Sequence, residues 1–271
     1  MTESDRRIAG RYSVQSVARA LRLVEMVADG PVGGVSLSEL SRGLGISKSS
    51  TLSLARTLVG FGYLVDGHPG YTLGPALGRL GDAVYRQLPL CGLARPAIED
   101  LLRATSLTSQ VAVSDHGYLV FVDRVHSPGQ VRWYTQLGER ELPYLSAAGK
   151  AMLSAMGVAN VRQLCAEHGM PARTDHTITD VDALLDDLAA ARRRGFAVDD
   201  EEDADGVVCV GAAFFGRGDA CAGALSVTGV KDELPASKIG ELGGIVRRAA
   251  DRVSAILGGH SYAELSLATA Y

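Results

Sequence analysis

The residues of this 271-residue chain that could carry chemistry fall into three groups. The first is Lys48, Ser49, Ser50, Ser53, Arg56 and Thr57, hydroxyl and cationic side chains within ten positions. Such groups bond to phosphate oxygens and base edges. The second is the acidic run Asp199-Asp200-Glu201-Glu202-Asp203. Taken alone it reads as a solvated loop, and it lacks the oxygen-ligand spacing of an EF-hand, so no Ca²⁺ or Mg²⁺ site is expected. The third is the four cysteines, Cys91, Cys165, Cys209 and Cys221. None belongs to a C-x-x-C pair and no histidine cluster accompanies them, which argues against zinc and for small buried apolar residues. Cys209 has no cation near it in sequence to make a reactive thiolate. There is no G-x-S-x-G, P-loop or H-E-x-x-H sequence, and Ser146 stands four residues before Lys150 where a Ser-x-x-Lys centre needs three. The chain is therefore expected not to be an enzyme and to need no metal or cofactor.

The first group needs a helix to present it. At about 100° per residue from a Ser47 cap, Thr51, Leu54, Ala55 and Leu58 fall on one side. Ser49, Ser53, Arg56 and Thr57 fall on the other, with Ser50 alongside and Lys48 in the first turn. Small side chains let such a helix lie deep in a major groove, and its N-terminus adds free amides for phosphate.

The neighbouring elements fit that use. Val14, Val17, Ala18, Leu21, Val24 and Ala28 form one face of a helix that Ser13 can cap. Ser36-Leu37-Ser38-Glu39 has capping-box spacing and opens a short helix that Gly45 stops. After the third helix, Gly62–Asp66 and Tyr71–Leu73 flank a Gly- and Pro-rich turn that carries His68, which reads as a hairpin. Three helices and a hairpin make a winged helix-turn-helix, with His68 at the wing tip, and Pro75 to about Gln87 reads as a linker helix. Beyond Pro89, helices are predicted over 93–105, 147–156, 161–168, 181–194 and from Pro235 to about Leu257. Strands are predicted over 109–114, 118–125, 132–136, 196–199, 207–215 and 221–227. Long helices beside an antiparallel sheet make the class α+β. The expected boundaries are 1–75 for the winged helix-turn-helix, 76–90 for the linker, 91–258 for a second domain and 259–271 for a tail.

Composition agrees. Residues 1–88 carry 10 Lys+Arg against 7 Asp+Glu, a balance of +3, and the remainder 17 against 24, a balance of −7. A mildly basic module beside an acidic one suits DNA binding joined to another task. No run of about 18 apolar residues predicts a membrane span. A polar start without a secretory pattern and scattered cysteines fit the cytoplasm.

Several segments together resemble the IclR-type transcription regulators. They are Ser13–Leu21, Leu44-Gly45-Ile46-Ser47-Lys48-Ser49-Ser50-Thr51, Gly62-Tyr63-Leu64, Tyr71-Thr72-Leu73-Gly74, Leu142–Ala151, Asp199–Cys209 and Gly223–Gly229. Their order and spacing span almost the whole chain. Two segments depart: Leu52 and Ser53 stand where the family often has an aromatic and an Arg, and its Leu-Pro-Leu-His pattern is here Leu142-Pro143-Tyr144-Leu145-Ser146. The operator sequence therefore does not carry over. The resemblance implies a GAF-like C-terminal domain that binds a small anionic or aromatic effector. Its pocket would use the Ala147 and Ala148 amides at a helix start, Ser226 and Thr228 alternating onto one strand face, Asp199 and Cys209, with Trp133 or Tyr134 as an apolar wall. The resemblance also implies a homodimer or tetramer on a double-stranded operator, in a repressor-type regulator of neighbouring catabolic genes. The rival reading is a small-molecule sensor whose winged helix mediates protein contacts only.

Overall fold

The computed structural model describes residues 14–87, 89–127 and 136–262. The chain divides into two compact units, with the break between residues 88 and 89. The N-terminal unit holds helices α1 (Gln15–Ala28), α2 (Leu37–Leu44) and α3 (Lys48–Gly60), strands β1 (Leu64–Asp66) and β2 (Tyr71–Leu73), and helix α4 (Pro75–Gln87). Local chemistry sets their ends. The Glu39 amide donates to Ser36 Oγ while the Ser36 amide donates to Glu39, at 2.9 Å, closing the capping box that starts α2. That pairing also holds the Glu39 carboxyl below its ordinary value. Gly45 ends α2 at φ 64°, a left-handed conformation that glycine adopts without strain. Ser47 caps α3 by accepting from the Ser50 amide. Val35 bridges Tyr71 beside the β1–β2 hairpin, and the three helices close on Leu23, Val27, Val35, Leu40, Ala55, Leu64 and Tyr71.

One sequence expectation changes here. The α1 face marked by Val14, Val17 and Leu21 is 55–61% exposed, and the buried residues of that helix are Leu23 and Val27. The helix has two apolar stripes. Its own three-helix core takes the second, about 200° round from Leu21.

The C-terminal unit runs α5 (Pro89–Thr105), β3 (Thr108–Asp115), β4 (Tyr118–Val125), β5 (Arg140–Glu141), α6 (Ala147–Ser154), α7 (Val158–His168), α8 (Val181–Arg194), β6 (Ala197–Asp200), β7 (Val207–Phe215), β8 (Cys221–Val230) and α9 (Ala236–Leu257). The strands form one antiparallel sheet in the order β5-β4-β3-β8-β7-β6. His116 and Gly117, at φ 51° and 85°, make the tight β3–β4 turn. Alternation along β7 sends Val210, Ala212 and Phe214 to α5 and α9, which cover one face with Ile98, Leu101, Val246 and Val253. Ala213 and Phe215 point to the other face, where Ala148, Ala151 and Met152 of α6 pack. Thus the unit is α+β as expected. Helix α5 begins at Pro89, four residues before the predicted start, because a first-position proline needs no amide partner. The predicted strand over 132–136 lies almost wholly outside the described residues.

Candidate functional site

In α3, Thr51 and Ala55 are buried while Lys48, Ser49, Ser50, Ser53, Arg56 and Thr57 are exposed, and His68 is exposed between β1 and β2. Neither Lys48 nor Arg56 forms an ion pair with a described residue. The hydroxyls are less free. Ser53 Oγ donates to the Ser49 carbonyl at 3.1 Å and Thr57 Oγ1 to the Ser53 carbonyl at 2.9 Å. Ser47 Oγ lies 3.0 Å from Ser49 Oγ and 2.9 Å from Ser50 Oγ. With their hydrogens bonded back along the helix, Ser53 and Thr57 offer lone pairs outward. The strong donors of this face are therefore Lys48, Arg56 and the open amides of the first turn.

In the C-terminal unit, six of the eight sequence-predicted pocket residues line one cavity of about 280 Å³. They are Ala147, Ala148, Asp199, Cys209, Ser226 and Thr228; Trp133 and Tyr134 lie outside the described residues. Sheet register explains the convergence. Cys209 pairs with both Asp199 and Thr228, and Gly211 pairs with Ser226, which in turn pairs with Gln110. Opposed residues share a face, so these side chains form two adjacent rows. Gly211 lets α6 sit on that face: a Cβ there would stand 2.7 Å from the backbone of Ala147 and Ala148. Ser146 caps α6 through the Gly149 amide, and the Lys150 amide returns to the Ser146 carbonyl. Helix geometry gives the Ala147 and Ala148 amides no intrahelical acceptor.

The acidic run is not wholly solvated: two of its five residues are buried. Asp199 is 1% exposed and Glu202 is 6% exposed. Asp199 Oδ1 accepts from the Glu202 amide at 2.9 Å, which folds the β6–β7 turn against the cavity. Burial raises its carboxyl to about 7 despite that bond. Burial, and then the Asp199 charge, pushes the Cys209 thiol well above its ordinary value, and its sulfur sits 3.3 Å from Thr228 Oγ1. That thiol is held neutral, as a redox-sensing thiolate would not be.

Sequence reasoning missed several polar residues at and behind the cavity. Glu141 and Arg173 line the cavity with Gln110, and burial raises the Glu141 carboxyl to about 7 as well. Lys150 is 1% exposed, its Nζ 2.5 Å from Glu202 Oε1 and 2.8 Å from Asp187 Oδ2. It ties α6 to the β6–β7 turn and to α8. A lysine enclosed by Ala147, Ala148, Gly149 and Ala151 was the signal for a buried cation, and the acidic run for its partner.

Residues 82–255 match the family model of the bacterial transcriptional regulator IclR C-terminal domain, and residues 16–66 match the IclR helix-turn-helix domain. The acetate operon repressor of Salmonella typhimurium is 31% identical over 253 residues, 91% of each chain. The transcriptional repressor IclR of Escherichia coli is 30% identical over the same share of each. Among solved structures, Thermotoga maritima IclR superposes with a TM-score of 0.79 at 25% identity, over 90% of this chain and 99% of that one. An IclR homologue from Microbacterium hydrocarbonoxydans, complexed with 4-hydroxybenzoate, shares the fold at a TM-score of 0.76 and 22% identity, over 90% of this chain and 99% of that one.

Proposed function

The chain belongs to the IclR family of DNA-binding transcription regulators, and from that premise we propose which of its residues read DNA and which receive the effector. Lys48 and Arg56 contact phosphate or base edges. Ser49, Ser50, Ser53 and Thr57 accept from exocyclic amines or bound water, and His68 reaches the flanking backbone. The observation that carries this is the exposed α3 face, with two cations that form no ion pair with a described residue, above a buried Thr51–Ala55 stripe. The family is one of regulators and not of enzymes, and the reading in which the winged helix serves protein contacts alone is not favoured.

The cavity is the effector site in this proposal. The Ala147 and Ala148 amides with the Ser226 and Thr228 hydroxyls receive a carboxylate, and Asp199 and Cys209 border it. Trp133 or Tyr134 would close the apolar side. The working division is a reader over 1–75, a linker over 76–90, a sensor over 91–258 and a tail over 259–271. Two copies, or four, read a two-fold operator, because one small reading domain discriminates poorly. The exposed Val14, Val17 and Leu21 stripe supports such pairing. Among the described residues no helix is long and apolar enough to cross a membrane; a cytoplasmic location is part of this proposal, and a DNA-binding role supports it. The relatives' names support repression, and neighbouring catabolic genes are the proposed targets.

A mobility-shift assay on the DNA flanking its own gene tests the reading. Retardation of that fragment over unrelated DNA of equal length is expected. Equal retardation of both, or none, contradicts it.

A further inference from the structure

The charges around the cavity do not balance. Arg140 is engaged by Asp115, with Nε and Nη2 at 2.7 and 2.6 Å from Oδ2. Arg173 is engaged by Asp203. Lys150, behind the Asp199 turn, is engaged by Glu202 and Asp187. Glu141 is left with no hydrogen bond or ion pair to a described residue, and Asp199 is met only by the amides of its own turn, besides the neutral Cys209 thiol. Two carboxyl groups thus border the cavity without a cation of their own among the described residues. Ser226 and Gln110, 2% and 3% exposed, line the same space and form no side-chain hydrogen bond with a described residue. The site is built to bond a ligand.

A plain carboxylate would add negative charge beside Glu141 and Asp199, where low dielectric strengthens repulsion. A ligand that carries a cation as well adds none. We propose that the cavity takes a short amino carboxylate, its carboxylate on the Ala147 and Ala148 amides and its ammonium on Glu141 and Asp199. This rests on reading the cavity as the effector site.

Dimensions agree. The α6 start sits over Gly211, and Asp199 lies one strand over and two residues along, which at about 4.8 Å per strand and 3.4 Å per residue is roughly 8 Å. The Asp199 side chain and a hydrogen bond of about 2.9 Å at each end take up part of this backbone-to-backbone distance, which suits a short ligand. The cavity holds roughly nine groups of water size at about 30 Å³ each.

The pH dependence has a definite sign. Glu141 is faced by Asp203, Arg173, Glu139 and Asp199, and Asp199 by Glu202, Lys150 and Asp203, and burial dominates for both. Both ionise as pH rises through about 7, so an ammonium binds more tightly at pH 8 than at pH 6. A plain carboxylate binds less tightly.

The test is saturation-transfer NMR and calorimetry on the full-length protein. The probes are glycine, alanine, β-alanine, 4-aminobutyrate and phenylalanine, against acetate, propionate, butyrate and 3-phenylpropionate. At least one amino probe is expected to bind tenfold or more tighter than its amine-free counterpart, and tighter at pH 8. Glu141→Gln should weaken it tenfold or more, and Glu141→Lys should turn the preference toward the amine-free acid. No binding by any amino probe, equal or tighter binding of the counterparts, or a preference untouched in both variants overturns the proposal. Ser226→Leu, which fills the cavity, separates this from the underlying reading. If amine-free acids bind and Ser226→Leu abolishes it, the cavity stands as the effector site and only the amine assignment falls. If Ser226→Leu leaves all acid binding intact, the cavity reading falls too.

Discussion

Asp199 shows how burial rewrites a residue. In the sequence it opens an acidic run that looks solvated; in the fold it is enclosed, accepts from its own turn and is raised to about 7. Its raised value, like that of Glu141, means that the folded protein binds more protons than the unfolded chain between the ordinary carboxyl range and about 7. The sign of the linkage follows: these two groups favour folding most below their unfolded values, and their contribution falls as pH rises to about 7 and then levels. The melting temperature of the wild type, relative to an Asp199→Asn, Glu141→Gln double variant, should therefore fall between pH 5 and pH 8. A flat difference over that range would count against the burial of these carboxyls. Lys150 gives the second residue-scale prediction. Lys150→Met leaves Glu202 buried without its cation, while Asp187 keeps a distant Arg194 at 3.9 Å. A loss of about 3–5 kcal/mol in urea unfolding is expected, and a loss below about 1 kcal/mol would show that the pair does not hold α6 to its turn. The small residues around Lys150 hint at a buried cation in the sequence, but the pairing itself joins Lys150 to Glu202, some fifty residues on, and no spacing reveals it.

At the scale of elements, local signals were legible and long-range ones were not. The Ser36 capping box, the Gly45 stop and the Ser47 cap all involve neighbours in sequence, and each stands where the residues called for it. The apolar face of α1 was legible as a face, but periodicity does not say whether it meets its own core or another chain. The role of Gly211 lies in close approach between β7 and α6, which no spacing reveals. Adding a methyl there meets backbone rather than a flexible side chain. Gly211→Ala should push the start of α6 off the sheet, destabilise the C-terminal unit by about 1–3 kcal/mol, and abolish ligand binding in the cavity while DNA binding by the N-terminal unit persists. Binding at wild-type affinity in this variant would show that the Ala147 and Ala148 amides do not form the site.

For the whole molecule, the division of charge between the two units is the broadest sequence signal, and the family relationship gives it meaning: a basic helix-turn-helix unit and an acidic C-terminal unit in one chain of a transcription regulator. The order of helices and hairpin was legible because capping and turn residues mark it. The cavity was legible in part, since resemblance pointed to six of its residues, whereas Glu141 and Gln110 reach it through strand pairing and Arg173 from a loop distant in sequence. The central claim is that α3 holds DNA through Lys48 and Arg56. Its most direct test is the salt dependence of fluorescence anisotropy on the DNA flanking the protein's own gene, for the wild type and Arg56→Ala. Each phosphate neutralised contributes about 0.9 to the slope of log affinity against log salt. The account predicts a steep negative slope for the wild type and one shallower by about 1 per reading domain for Arg56→Ala. A flat salt dependence, or slopes and affinities that Arg56→Ala leaves unchanged, would contradict it.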